Sequence, residues 1–228
     1  MNSRRIQRDV QIASSSTSLP THGIYYIPCE ENYMKGTALL IGREGTPYFG
    51  GFYFFSITLP DDYPFAPAKV LSLTQDGKTR FNPNMYLNGK VCLSILNTWH
   101  DGPQWSSCQS IESILMSIMS DVLNANPLEN EPAFHGCGAT STATEYNRQI
   151  WHANVKTAIL ENLTTPPTHA VRFLEIMKTE FKKLQPAIMK RCADESIYDG
   201  KQYTTRIFSM SGIYDFCGLR KRVEDVKI

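Results

Sequence analysis

The sequence predicts an α+β domain followed by a helical appendage, and three observations carry that expectation. Four short aromatic and β-branched runs, bounded by Gly, Pro or Asp, lie between Gly23 and Leu73. Apolar residues recur at helical spacing before and after them. Between the strands and the later helices, Asn82 to Trp105 shows no sustained period and holds several Asn, Gly and Pro. Long irregular segments inside a domain are commonly functional.

Ile6, Val10 and Ala13 sit at helical spacing with Arg4, Arg5 and Arg8 interleaved. This reads as a short amphipathic helix with a basic face, ended by the Ser/Thr run from Ser14 to Ser18. GIYYIP, GTALLIG, GFYFFSITL and AKVLSL follow with short connections, so an antiparallel meander is expected. Gly50-Gly51 allows a tight turn before the third strand. In DDYPFAPAKV, Pro64 and Pro67 forbid a regular central strand, which leaves a rigid loop with Phe65 exposed on it or half-buried under it.

Ser106-x-x-Gln109 has the form of a capping box, ahead of Ile111, Leu115, Ile118 and Val122. Thr142-x-x-Glu145 has the same form, ahead of Tyr146, Trp151, Val155 and Ile159, and Pro166-Pro167 stops that pattern. A third helical stripe runs through Val171, Leu174, Met177, Phe181, Leu184 and Ile188. The last stretch, from Tyr203, mixes apolar residues with the basic cluster Arg220-Lys221-Arg222. The division expected is a core domain over 1–165 and a helical extension over 166–228, packed on or near the core.

The chain has 228 residues and a formal net charge of +1. Such balance argues against nucleic acid or a membrane surface as the main partner. No apolar run approaches the ~18 residues of a membrane span, and the start, MNSRRIQRDV, lacks the apolar centre of a secretory signal. The six cysteines are scattered without a CxxC pair, which points to a soluble protein of a reducing compartment with no disulfide framework and no cysteine zinc site. No phosphate-binding Gly-rich loop is present, and neither a metal nor a small-molecule cofactor is implied.

Within the irregular segment, FNPNMYLNGKVCLSIL sets Cys92 eight residues after Asn84. A thiol near Lys90 on a loop can serve as a nucleophile; equally, a lone cysteine is often a small buried hydrophobe. Asn84 can donate to a developing oxyanion or simply form a turn. In Glu129-Asn130-Glu131 a carboxylate could orient an incoming amine, or the run could be a solvated helix end. A papain-like hydrolase would need a base beside the thiol, and the five histidines show no signature of that class.

Taken together, these pieces resemble the ubiquitin-conjugating enzymes. RRIQRDV is similar to their first helix. TPYFGGFYFFSITLPDDYPFAPAKV is similar to their strand and proline-loop signature, with Ala68 where a second proline is usual. FNPNMYLNGKVCLSIL resembles their His-Pro-Asn motif and active cysteine, with the same Asn-to-Cys spacing but Asn82 where His is usual. WSSCQSIESILMSI resembles the helix that follows, with Ser107 where proline is usual. The longer NTWHDGPQ segment and the tail resemble the large members that have an Asn-Pro-Asn motif and a C-terminal extension.

The resemblance implies the ubiquitin-conjugating fold and a transferase. Cys92 would take ubiquitin, or a ubiquitin-like modifier, as a thioester from an activating enzyme and pass it to a substrate lysine or a ligase. Asn84 would stabilise the oxyanion or hold the loop that does. Asn130 and Glu131 fall where the family places a residue that helps position the lysine. Arg4, Arg5 and Arg8 would meet the activating enzyme, and Phe65, Ser107 and Cys108 would face ligases, with Ser107 departing from the pattern for ordinary RING ligases. The location implied is cytoplasmic, with the nucleus also open. The rival reading on the same fold is a ubiquitin-binding scaffold without catalysis.

Overall fold

The computed structural model describes residues 3–205 and 207–227. Helix α1 (Ser3–Ser14) buries Ile6, Val10 and Ala13, the stripe that the spacing predicts. Four strands follow: β1 (Ile24–Pro28), β2 (Lys35–Ile41), β3 (Phe52–Thr58) and β4 (Lys69–Ser72). They form one antiparallel meander in the order β1-β2-β3-β4.

Register decides which residues share a face. Ile24 pairs with Leu40, and Leu40 with Tyr53, while Tyr26 pairs with Ala38 and Ala38 with Phe55. These residues line the inner face and join α1 and the helix behind the irregular segment in one core. Leu39 pairs with Phe54 and Ile41 with Phe52 on the outer face, and these join a second core built largely by the C-terminal extension. Burial on both faces explains why GFYFFSITL is nearly continuously apolar instead of alternating. At Gly51 a Cβ would stand 1.9 Å from Asn154 Oδ1, so the close approach of that buried amide requires glycine. Asn154 accepts from Tyr53 Oη at 2.7 Å and donates to the Phe49 carbonyl at 3.0 Å.

Both expected caps move. Helix α2 (Ile111–Ser117) is capped by Ser110 paired with Ser113 and continues as a wider turn over Ile118–Val122. Gln109 does accept from Ser106 N at 3.0 Å, but that bond closes a separate turn upstream. Helix α3 (Ser141–Ala153) is capped by Thr140, not Thr142. Glu145 is unavailable for a cap because Arg148 and the Tyr214 hydroxyl hold its carboxylate. The helix widens over Asn154–Glu161 and ends in α4 (Asn162–Thr164).

A 3₁₀ turn (Thr168–Phe173) leads into α5 (Leu174–Glu195). Val171 lies in that turn and is exposed, because three residues per turn do not keep it on the helix stripe. The extension is not helical throughout. Strands β5 (Gln202–Thr204) and β6 (Ser211–Ile213) form a hairpin before α6 (Phe216–Glu224), and three residues apiece are too few to show a period in the sequence. Among the described residues no helix is long and apolar enough to cross a membrane.

Candidate active site

Hydrogen bonds, not regular structure, shape the segment around Cys92. The side chain of Asn82 is wholly buried. Its Nδ2 donates to Tyr48 Oη at 3.1 Å and to the Val122 carbonyl at 2.7 Å. Its Oδ1 accepts from Asn84 N at 2.7 Å and from Asn130 Nδ2 at 3.2 Å. An amide has two donor hydrogens and two acceptor lone pairs, and here all four are engaged. An imidazole has only two ring nitrogens, so a histidine could not make this set of bonds.

Asn84 and Cys92 face each other across a small reversal of the chain. Met85 pairs with Val91, Tyr86 N donates to the Lys90 carbonyl at 2.9 Å, and Gly89 turns at φ +88°. The eight-residue spacing is therefore the length of this reversal. Cys92 N donates to the Asn84 carbonyl at 2.9 Å, and Asn84 Nδ2 donates to the Cys92 carbonyl at 2.8 Å. The second Nδ2 hydrogen of Asn84 has no partner among the described residues, so it is a donor in reserve.

Cys92 does not stand on an open loop as expected; it is only 3% exposed. The chain beyond it folds back. Thr98 Oγ1 accepts from Leu93 N at 2.9 Å and lies 3.0 Å from the Val91 carbonyl, while Thr98 N donates to the Leu93 carbonyl at 3.1 Å. Thr98 thus pins the residues on both sides of Cys92. Nothing in the sequence marked it, since a threonine in an aperiodic segment carries no pattern. Lys90 is exposed, with Nζ 5.6 Å from the centre of the Tyr86 ring.

Two tyrosines brace the lead-in. Tyr48 Oη donates to the Phe81 carbonyl at 2.7 Å, and Tyr146 Oη to the Arg80 carbonyl at 2.6 Å. Burial pushes both phenols up, so they stay protonated donors. Arg80 Nε and Nη2 reach the carbonyls of Asn82 and Pro83 at 3.2 and 2.6 Å.

Asn130 is tied to this network by its own amide. Besides Asn82, its Nδ2 donates to the Asp121 carbonyl at 2.7 Å, and its Oδ1 accepts from Asn124 at 3.0 Å. Glu131 follows as a half-buried residue at the end of a 3₁₀ turn (Pro127–Asn130). The described contacts bring neither side chain to Cys92.

The expected partner surface divides. Arg4 and Arg8 are exposed, as are Ser107 and Cys108, and Phe65 is 77% exposed. Arg5 is not a free cation. It pairs with buried Asp9 at 2.8 Å and donates to the carbonyls of Ser107 and Gln109 at 2.8 and 2.6 Å. Asp9 also accepts from Tyr63 Oη at 2.5 Å, and Trp105 Nε1 donates to the Pro64 carbonyl at 2.8 Å. The helix-stripe pattern assigned Arg5 to solvent because its two carbonyl partners lie over a hundred residues away in the chain. Among the described residues no cluster of three or more His, Cys, Asp or Glu could hold a metal ion.

The ubiquitin-conjugating enzyme family model matches residues 5–159, which takes in both Asn84 and Cys92. The chain belongs to the ubiquitin-conjugating enzyme family. As such it is a transferase that works through a cysteine thioester, and ubiquitin, an activating enzyme and ligases are the partners that membership implies. The chain is 34% identical over 223 residues to ubiquitin-conjugating enzyme E2 Z of Xenopus tropicalis, covering 97% of this chain and 70% of that protein. It is equally identical to the Homo sapiens E2 Z over 220 residues, 96% of this chain and 61% of that one. It is 36% identical to the human dual E2 ubiquitin-conjugating enzyme/E3 ubiquitin-protein ligase BIRC6, covering 89% of this chain but 4% of that protein. Among solved structures, the E2 domain of a Toxoplasma gondii ubiquitin conjugating enzyme shares the fold at a TM-score of 0.52 and 23% identity, covering 69% of this chain and 99% of that one.

Proposed function

We propose that Cys92 is the cysteine that accepts ubiquitin, or a ubiquitin-like modifier, from an activating enzyme and passes it to a substrate lysine or a ligase cysteine. The observation that carries this reading is the reciprocal bonding of Cys92 with Asn84, which holds a spare amide donor beside the thiol's backbone. The Cys92 thiolate attacks the carbonyl carbon of the incoming thioester. The tetrahedral intermediate collapses and expels the activating enzyme's cysteine as a thiolate. This exchange is nearly isoenergetic and needs proximity above all.

In the second step a neutral lysine amine attacks the Cys92 thioester. Negative charge gathers on the carbonyl oxygen, the C–S bond breaks, Cys92 leaves as a thiolate and the new amide nitrogen loses a proton. The spare N–H of Asn84 is the donor this reading assigns to that oxygen. The exposed Arg4 and Arg8 would serve the activating enzyme, and Phe65, Ser107 and Cys108 a ligase. Residues 1–165 would carry the chemistry and 166–228 the covering of the sheet.

One observation favours a second reading. Cys92 is almost inaccessible, which suits a scaffold that binds ubiquitin and is never charged. Incubation with activating enzymes, ATP and ubiquitin separates the two. The expected result is a thiol-sensitive adduct on the wild type that becomes a reductant-resistant ester in Cys92→Ser. Binding of ubiquitin without any adduct, across a panel of activating enzymes and modifiers, would favour the scaffold.

A further inference from the structure

The extension grips the domain in two unlike ways. Helices α5 and α6 lie against the outer sheet face. The loop between β5 and β6 instead reaches the inner core, where Met210 is buried and Ile207 and Phe208 pack against the cluster that holds Tyr48 and Tyr146. Two of its residues are held in an unusual shape. Phe208 has φ 56° and ψ 16°, and Ser209 has φ 52°. A bulky residue is strained in the left-handed region, and strain of that kind persists where the surroundings over-determine it.

The surroundings here lead to the active site. The Phe208 ring lies 5.9 Å from that of Tyr146 and 5.1 Å from the Arg80 guanidinium carbon. The same guanidinium stacks at 3.7 Å on Tyr86, which belongs to the reversal ending at Cys92. Arg80 and Tyr146 together hold the backbone from Arg80 to Pro83. One side chain of the extension therefore touches both groups that fix the start of the Asn-Pro-Asn turn. Thr205 closes the loop behind it, with its N donating to the Met210 carbonyl at 2.9 Å and its Oγ1 to the Ile207 carbonyl at 3.0 Å.

We propose that Phe208 is a positioning residue for the transfer step: by holding Arg80 on the carbonyls of Asn82 and Pro83, the extension fixes Asn84 and, through it, Cys92. The chemical half of this inference rests on Cys92 carrying the thioester; the geometric half does not. The full chain is used throughout. Phe208→Ala should discharge its thioester to free lysine about threefold to tenfold more slowly, mainly in kcat. Phe208→Tyr keeps the ring and should stay within about twofold of the wild type. Phe208→Gly removes both the ring and the backbone strain, so it should keep the transfer defect while its Tm stays level or rises. A merely structural loop would move stability and transfer together.

Amide hydrogen exchange gives a readout that does not depend on charging. Phe208→Ala and Phe208→Gly should speed exchange at Asn84 and Cys92 and leave Leu39 and Phe54 as in the wild type. Unchanged exchange at Asn84 and Cys92 would overturn the inference, whether or not the protein is ever charged. Wild-type protein that no activating enzyme charges would overturn the proposed function instead, and the exchange result would still decide this one.

Discussion

On the outer face of the sheet Phe54 meets Phe173 and His169 edge-on, at 5.6 and 5.1 Å, and Arg191 lies 4.1 Å over Trp151. On the catalytic side Asn82, Asn84 and Asn130 bond to one another and to main-chain carbonyls. The first region is held by buried area, which is strong and indifferent to small shifts. The second is held by directed bonds, which contribute less each but fix atoms in place. The difference separates two jobs within one chain: the helices of the extension that cover the outer face supply stability, and the asparagines supply position.

Substitutions on each side break this contrast in opposite ways. The largest loss of stability belongs to Phe173→Ala, which empties a fully buried ring site and should lower the unfolding free energy in urea by about 3–5 kcal/mol. A loss under about 1 kcal/mol would mean that the extension is only loosely applied. Asn84→Ala should do the reverse. Transfer to lysine should slow by roughly 10²–10³-fold, more than the charging of Cys92 does, as loss of an oxyanion donor requires. Equal slowing of both steps in single-turnover assays would make Asn84 a structural residue. Asn82→Ala lies between, since it strands Asn84 N and the Val122 carbonyl and should cost about 1–3 kcal/mol while slowing transfer as well.

The gentlest probe is pH. His152 joins the core helix to the extension, accepting from Asp215 N at 3.1 Å and packing edge-on against Tyr214 and Phe216. Burial, opposed by Asp215 and Asp199 and aided by Lys156 and Lys78, holds its pKa down to about 4. The unfolded chain then binds more protons between the ordinary 6.5 and about 4. Stability from this site is full above 6.5 and falls as pH drops towards 4. Burial pulls His169 the same way. Urea midpoints at pH 7 and 5 should therefore differ less in His152→Phe than in the wild type, and identical differences would remove His152 from the account.

Much of this was legible beforehand. Strands, helices and the Asn-Pro-Asn…Cys spacing could be read because short-range pattern produces them. Arg5, Thr98 and the Asn82–Asn130 bond could not, because their meaning lies in partners that the fold supplies; Asn82 and Asn130 are 48 positions apart. The Phe208 loop was hidden for a related reason, since its contacts to Arg80 and Tyr146 lie far back along the chain and follow no period. The caps slipped by two to four residues, and at Thr142 the expected partner Glu145 is claimed by Arg148 and Tyr214.

The assignment of Cys92 is tested most directly by charging six single Cys→Ser variants, one for each cysteine, alongside the wild type and mapping the adduct by mass spectrometry. The result expected is a modifier C-terminus on residue 92 alone, reductant-sensitive in every protein except Cys92→Ser, where it persists as an ester. A normal thioester on Cys92→Ser, or an adduct mapped to any of the other five cysteines, would contradict it.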